Sequence, residues 1–384
     1  MLTKENTKQQ KGIAILLMII HHLYIMTDRI PIGYEYTSGI RISNMDLIDI
    51  AASFGKICVS LFMFLGGYGI FKSVSSQGKE VSITKGSFLK RIISLYRSYW
   101  KVFLVFIPIA FTFFDSCVVT CTNPAYHDWF SIFSFKDFVS NFFAWSSSYN
   151  GEWWFFKTYI VTLFLGYIFI QLFKSSKDVY IEFGVIIMYQ IIITNFATIA
   201  NTTPVLQSLL SNVFFTNIFA INEYSVLFFV GVVFAKYDIF TEWSDLTQKS
   251  NLFEKILLSL FLIVFTVYLR VFIVPVALDM ILVPIFVFAT MTFVNTTKVL
   301  QKPLTILGNH STNIWLIHSF YCYYFYPIPK YIYGLKQPVL TFTALLILSF
   351  VSSLLLNKFW NLVGWIYSKL SSGFVLITKR LLSN

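Results

Sequence analysis

Lys11 and His22 stand in the first apolar stretch of the chain and carry side chains that can bind an anion and accept a proton. Eleven residues separate them, which is about 1100° of α-helix, so both lie within about 20° of one helix face. The rise of about 16 Å takes His22 from the membrane edge to near the midplane, and His21 points about 80° away from Lys11. This arrangement suits a phosphate-bearing donor whose reactive end reaches His22. A flanking lysine and a histidine in a helix contact would show the same spacing, so both interpretations stay open.

The composition predicts that these residues belong to a membrane protein. Of the 384 residues, 57% are hydrophobic and 12% are charged, about half the charged fraction of a soluble domain. The charges stand in short loops between apolar stretches, so the net charge of +11 indicates membrane orientation rather than nucleic-acid binding. No polar stretch is long enough for a second domain. We therefore predict one membrane domain over residues 1–384.

Helices must carry these residues. Ten stretches of the chain are apolar over about 20 residues, which is the length that a membrane-crossing helix needs. We predict an all-α, multi-pass fold with about ten transmembrane helices, at residues 11–27, 50–73, 93–114, 153–173, 178–199, 213–235, 253–274, 277–295, 306–327 and 338–357. Pro275 separates the seventh from the eighth, and Pro327 ends the ninth. Residues 358–384 are predicted to form an amphipathic tail on the cytoplasmic surface.

Lysine and arginine residues concentrate in alternate loops, which determines the predicted orientation. If the N-terminus is inside, the loop after the second span and the C-terminal segment also lie inside, and both are rich in basic residues. The loops 28–49 and 115–150 then face outside and carry most of the loop aspartates. We predict a protein of the plasma (inner) membrane with both termini in the cytoplasm.

Few other ionisable or metal-binding side chains remain to be explained. Arg270 and Asp279 stand in neighbouring predicted spans, where charges are costly, and we predict that they pair in a structural role. Cys117 and Cys121 fall in one outside loop, where a disulfide is chemically permitted. The four cysteines fit no metal-binding pattern, so we expect no metal site.

Five segments resemble the acyltransferase-3 family of membrane acyltransferases, and they occur in the family's order over most of the chain. The first is KGIAILLMIIHH, Lys11–His22, where the family has a basic residue, ten intervening residues and a histidine. The family usually has Arg at the position of Lys11; the lysine keeps the charge but loses bidentate phosphate recognition. The other segments are Val59–Ser73, in which Gly66 replaces the usual Ser, the basic entry to the third helix Phe88–Trp100, the Trp-Phe signature Gly151–Phe156, and Leu307–His318.

The resemblance implies transfer of an acyl group, which we expect to be acetyl, to a hydroxyl of a surface polysaccharide or its lipid-linked precursor. The donor would be a cytoplasmic acyl-CoA, with acetyl-CoA as a co-substrate and no permanently bound cofactor. His22 would be the general base that removes the hydroxyl proton. The donor phosphates would be held by basic residues, each of which could also be an ordinary orientation charge: Lys11, Lys72, Lys90, Arg91 and Arg97.

Glu152, Trp153 and Trp154 begin the fourth predicted span at its outer end. A carboxylate next to aromatic rings can accept hydrogen bonds from sugar hydroxyls or orient a histidine, and the rings can stack on a sugar. The alternative is that Glu152 only stabilises a helix N-terminus. We predict a catalytic role for Glu152 and acceptor binding by Trp153, Trp154 and His318, although His318 could equally serve in helix packing.

Two other functions fit parts of the sequence. A transporter or flippase for lipid-linked glycans would show paired half-repeats and helices broken by Gly or Pro, and the sequence shows neither. A glycan polymerase would account for the long outside loop 115–150, but it has no need of a basic inside surface. The lipid bilayer, an acyl-CoA and a glycan acceptor are therefore the expected partners.

Overall fold

The computed structural model describes residues 2–31, 33–34, 40–42, 44–75, 85–114, 130–210, 224–273 and 278–382. The main helices are α1 (Lys4–Tyr24), α2 (Leu47–Gly55), α3 (Ile57–Ser75), α4 (Lys85–Phe113), α5 (Phe135–Phe142), α6 (Trp154–Phe173), α7 (Val179–Thr202), α8 (Pro204–Leu210), α9 (Tyr224–Lys236), α10 (Ile239–Leu246), α11 (Leu252–Tyr268), α12 (Asp279–Thr296), α13 (Lys298–Ser319), α14 (Ile328–Tyr333) and α15 (Pro338–Leu382). Short 3₁₀ turns cover Thr27–Arg29 and Gly151–Trp153, and π turns cover Leu269–Ile273 and Phe320–Tyr324. One small hairpin pairs β1 (Arg41–Ile42) with β2 (Met45–Asp46) in antiparallel register.

The predicted all-α, multi-pass membrane fold is confirmed, but the number of spans is not. Six described helices are long and apolar enough to cross a membrane: Leu47–Ser75, Phe88–Phe113, Gly151–Phe173, Leu252–Ile273, Asp279–Thr296 and Pro338–Ser371. A seventh arises if α9 and α10, which meet at a 67° bend, form one broken span. The described part of α7 that is apolar, Val179–Asn195, is shorter.

The predicted first and ninth spans, 11–27 and 306–327, are helical but fall outside this set because their helices contain many polar residues. Some of these polar side chains are buried between helices. Asn6, Gln9 and Gln10 are buried along α1, and Ser311 and His318 are buried along α13. A helix shielded by its neighbours can carry a polar sequence that a lipid-facing helix cannot.

The centre of the bundle is built on α9, in which every residue from Tyr224 to Ala235 is buried. It packs most extensively against α3, as α1 does against α13. The periphery includes α11, in which only 11% of the residues of its apolar stretch are buried. Long apolar side chains such as Phe261 and Val264 are exposed there, as expected for a surface that faces lipid tails.

One predicted feature differs from the structure, and others lie outside the residues that the structure describes. The helix α15 runs through residue 358 without a break, so the predicted tail continues the tenth span as one helix. No proline interrupts the sequence between them, and backbone hydrogen bonding therefore continues. Cys117, Cys121 and Pro275 lie outside the described residues, as does the part of the outside loop 115–150 up to residue 129.

Candidate active site

Two glycines bring α1 and α13 into contact along their backbones. A Cβ atom at Gly12 would overlap the carbonyl group of Leu304, and one at Gly308 would overlap that of Lys8. Small residues allow membrane helices this close approach. From the contact both helices continue for ten residues, to His22 on α1 and His318 on α13. The centroids of the two imidazole rings are 4.9 Å apart, so the glycine contact sets the histidine pair.

The two histidines retain polar atoms that the described part of the protein does not satisfy. Nδ1 of His22 and Nε2 of His318 are buried and have no hydrogen-bond partner among the described residues. The other nitrogen of His318, Nδ1, lies 2.7 Å from the carbonyl oxygen of Trp315. His21 is engaged differently, with its Nδ1 2.8 Å from the carbonyl oxygen of Ala52. Buried polar atoms without partners are costly, so they indicate a place for a polar ligand.

Glu152 lies in the 3₁₀ turn that precedes α6 and is 5% exposed. One carboxylate oxygen forms an ion pair with Arg29, and the other accepts a hydrogen bond of 2.9 Å from the Tyr324 hydroxyl. The Arg29 guanidinium also lies 4.9 Å from the centroid of the Tyr323 ring, whose hydroxyl donates to the backbone carbonyl of His22. Glu152 is thus connected to the backbone of His22 through side chains, and its carboxylate is held in a fixed orientation.

Two adjoining cavities connect these groups. The Lys11 cavity, about 140 Å³, is lined by residues that include Lys11, Gly66, Leu95, Tyr159, Ser311 and Thr312. The His22 cavity, about 250 Å³, is lined by residues that include His21, His22, Lys56, Glu152, Trp154 and Tyr224. Phe62, Phe155 and Trp315 line both. Lys11 and His22 therefore face one continuous side of the bundle, as their spacing predicts, and each faces a different cavity.

The five basic residues predicted to bind donor phosphates differ in their surroundings. Lys11 is half-buried in its cavity, and Arg91 is close enough to interact electrostatically with Tyr159 in the same wall. Lys72 forms an ion pair of 2.7 Å with Asp238, and Arg91 also donates to Ser73. Lys90 and Arg97 are exposed. Only Lys11 of the five is part of a described cavity wall.

A family model described as an acyltransferase domain matches residues 10–358, which is most of the chain and includes every residue of the two cavities. The chain belongs to the acyltransferase-3 family. No curated protein and no solved structure matches it significantly. The protein is thus a membrane acyltransferase, and the histidine pair with its two cavities is the candidate active site of this acyltransferase.

Trp153 and Trp154 are both predicted to bind the acceptor, but their side chains lie in different environments. Trp154 is 37% exposed and lines the His22 cavity, where its ring is accessible to a ligand. Trp153 is 2% exposed, donates its indole N–H to the Leu316 carbonyl at 3.0 Å and packs on Tyr99. In this structure the Trp153 ring is therefore not exposed for the predicted stacking on a sugar. Adjacent residues at a helix start point in different directions, and Trp153 points into the core.

The predicted intramembrane pair of the acyltransferase is confirmed. Nε of Arg270 lies 2.6 Å from a carboxylate oxygen of Asp279, and Ser60 donates to the other oxygen at 2.6 Å. Both charged side chains are buried, at 7% and 0% exposure. The two charges neutralise each other behind the His22 cavity, which agrees with a structural role. Within the described ranges, no group of three or more His, Cys, Asp or Glu side chains could hold a metal ion.

Sequence reasoning missed several residues of this site. From the sequence, Arg29 is only one of the basic residues in an outside loop. In the structure it pairs with Glu152, which is 123 positions away in the chain. Tyr323 and Tyr324 appear as ordinary aromatic residues near a proline. Only the proximity of a basic residue to the end of the His22 helix could have drawn attention to Arg29, and that signal is weak.

Proposed function

We propose that this acyltransferase moves an acetyl group from cytoplasmic acetyl-CoA to a hydroxyl of a surface polysaccharide or its lipid-linked precursor. The observation that carries the proposal is the pair of adjoining cavities, with a lysine in the wall of one and a buried, unsatisfied imidazole in the wall of the other. A donor with phosphates and a reactive thioester matches that order. The protein acts in the plasma membrane with both termini in the cytoplasm, in agreement with the distribution of Lys and Arg.

The proposed chemistry is a single acyl transfer. His22 accepts the proton of the acceptor hydroxyl, and the hydroxyl oxygen forms a bond to the thioester carbonyl carbon. The carbon–sulfur bond then breaks, the thiolate of CoA takes the proton back from His22, and the products are the acetyl ester and free CoA. His318, whose ring touches that of His22, positions the imidazole or contacts the acceptor. Holding both reactants in adjoining cavities supplies much of the rate enhancement.

The two ends of the site serve different substrates in this proposal. Lys11, with Lys72, Lys90, Arg91 and Arg97 at the cytoplasmic surface, binds the phosphates of the donor. At the opposite end, Trp154 offers a ring for stacking on a sugar, and Glu152 aligns the acceptor and the His22 segment through its contacts.

The experiment compares two neighbouring histidines. His22→Ala should abolish acylation of the glycan, whereas His21→Ala should be milder because His21 is engaged with the Ala52 carbonyl. Both variants must accumulate in the membrane to wild-type amounts, which is measured by immunoblotting. Mass spectrometry of the surface glycan from a deletion strain complemented with each variant gives the result and identifies the acceptor. Near-normal acetylation with His22→Ala would remove the general-base assignment.

A further inference from the structure

Phe62, Phe155 and Trp315 form the wall between the Lys11 cavity and the His22 cavity, because each of them lines both. They come from three helices, α3, α6 and α13. Phe155 is the central ring, with its centroid 6.4 Å from that of Phe62 and 5.4 Å from that of Trp315. All three are only partly buried, so they leave space on either side. A thioester that enters beside Lys11 must pass these rings to reach His22.

The space beyond the rings is small. An apolar cavity of about 150 Å³ accommodates benzene, so on the same scale the His22 cavity of about 250 Å³ accommodates about ten non-hydrogen atoms. An acetyl group with its thioester sulfur takes about four of these atoms and leaves space for about six, enough for the part of a sugar that carries the reacting hydroxyl. A longer acyl chain has no further space unless the wall toward the Lys11 cavity moves.

We infer that Phe62, Phe155 and Trp315 determine the acyl specificity of the enzyme and restrict the donor to a short acyl group. The inference rests on the proposed function and adds the length of the acyl group to it. The mechanism is steric: the rings close the end of the His22 cavity, and the acyl chain and the acceptor compete for the volume that remains. Removal of the central ring would join the cavities and create room for additional methylene groups.

The test measures the preference among acyl donors and not the total activity. Membrane vesicles from cells that make the natural glycan receive radiolabelled acetyl-, butyryl- or hexanoyl-CoA, and label in the glycan fraction is counted. Phe155→Ala should raise the ratio of kcat/KM for butyryl-CoA to that for acetyl-CoA about tenfold or more, since one methylene in an apolar pocket is typically discriminated about 10- to 200-fold.

The matched control is the neighbouring residue Phe156, which lines only the Lys11 cavity. Phe156→Ala enlarges that cavity without opening the wall, so the butyryl-to-acetyl ratio should stay near that of the wild type. The ratio does not depend on the amount of folded protein. If either alanine variant fails to accumulate, the pair Phe155→Leu and Phe156→Leu replaces it, with a smaller change expected in the same direction.

The outcomes separate this inference from the function on which it rests. If the wild type transfers acetyl and Phe155→Ala leaves the ratio unchanged, the ring wall does not select the acyl group and the inference is overturned. The same conclusion follows if the wild type uses hexanoyl-CoA as well as acetyl-CoA. If no donor labels the glycan in the wild type, the proposed function itself fails. A raised ratio with Phe155→Ala but not with Phe156→Ala supports both.

Discussion

Replacement of Glu152 by Gln tests whether this carboxylate serves the chemistry or only the fold. The substitution keeps the shape of the side chain and can keep the hydrogen bond from Tyr324, but it removes the negative charge beside Arg29. Both partners are well shielded, with 5% of the Glu152 side chain and 18% of the Arg29 side chain exposed. The variant therefore leaves a shielded guanidinium without its counter-charge.

The magnitude follows from that burial. Loss of one partner from a fully buried ion pair costs about 3–5 kcal/mol in the free energy of unfolding. Because Arg29 retains some contact with solvent and Gln can still accept a hydrogen bond, we expect about 2–3 kcal/mol for Glu152→Gln. Adding Arg29→Gln removes the stranded charge, so the double variant should be about 1–3 kcal/mol more stable than the sum of the single effects predicts.

The assay is a double-mutant cycle with two readouts on the same four proteins. Denaturant unfolding in detergent micelles gives the free energies, and labelled acetyl transfer to the glycan in membrane vesicles gives the activity. Acetyl-CoA binding is measured in parallel, and Glu152→Gln should leave it intact because Lys11 lies in the other cavity. The double variant should regain stability and remain defective in acyl transfer.

Three results would refute this reasoning. Additive free energies of unfolding would mean that Arg29 and Glu152 are not energetically coupled despite their contact. Recovery of acetyl transfer in the double variant would mean that Glu152 acts only through the fold. A loss of donor binding with normal transfer per bound donor would move Glu152 to the donor half of the site and contradict the predicted topology.

Two further predictions concern the donor end and the helix contact. Combined replacement of Lys11, Lys72 and Arg97 by Gln should weaken acetyl-CoA binding about tenfold at low salt and less at high salt, where exposed charge contacts are screened; unchanged affinity in calorimetry would contradict the donor assignment. Gly308→Leu should lower the free energy of unfolding by about 1–3 kcal/mol or more and reduce acylation, because the side chain would meet the Lys8 carbonyl. Gly69→Leu is the matched control, since a Cβ at Gly69 meets nothing within 4 Å.

Local periodicity predicted those parts of the site that lie on one helix. The spacing of Lys11 and His22 depends only on helix geometry, and both face the expected side. The Arg270–Asp279 pair was also predictable, because the two residues are nine positions apart and isolated charges are costly in a membrane. Helix geometry and the cost of charge are general, so a single sequence suffices for such predictions.

The contacts between distant segments could not be predicted in this way. The partner of Glu152 is Arg29, and the Trp153 indole donates to a carbonyl on α13. Which of two adjacent tryptophans enters the core depends on where α13 and α4 lie, and no pattern near residue 153 contains that information. The ring wall has the same origin, since its three members come from three helices and resemble any other aromatic residue in the sequence.

The span prediction differs from the structure at the two helices that carry the candidate active site. The helices α1 and α13 carry the histidine pair; they are 21 and 22 residues long, but they contain more polar residues than the six helices that are apolar enough to cross a membrane, and some of these, such as Gln10 and His318, are buried. Polar side chains at membrane depth are costly and mark candidate functional positions, and they reduce the hydropathy of the helices that supply them. In this family member the weaker transmembrane signals of α1 and α13 therefore coincide with the helices of the candidate active site.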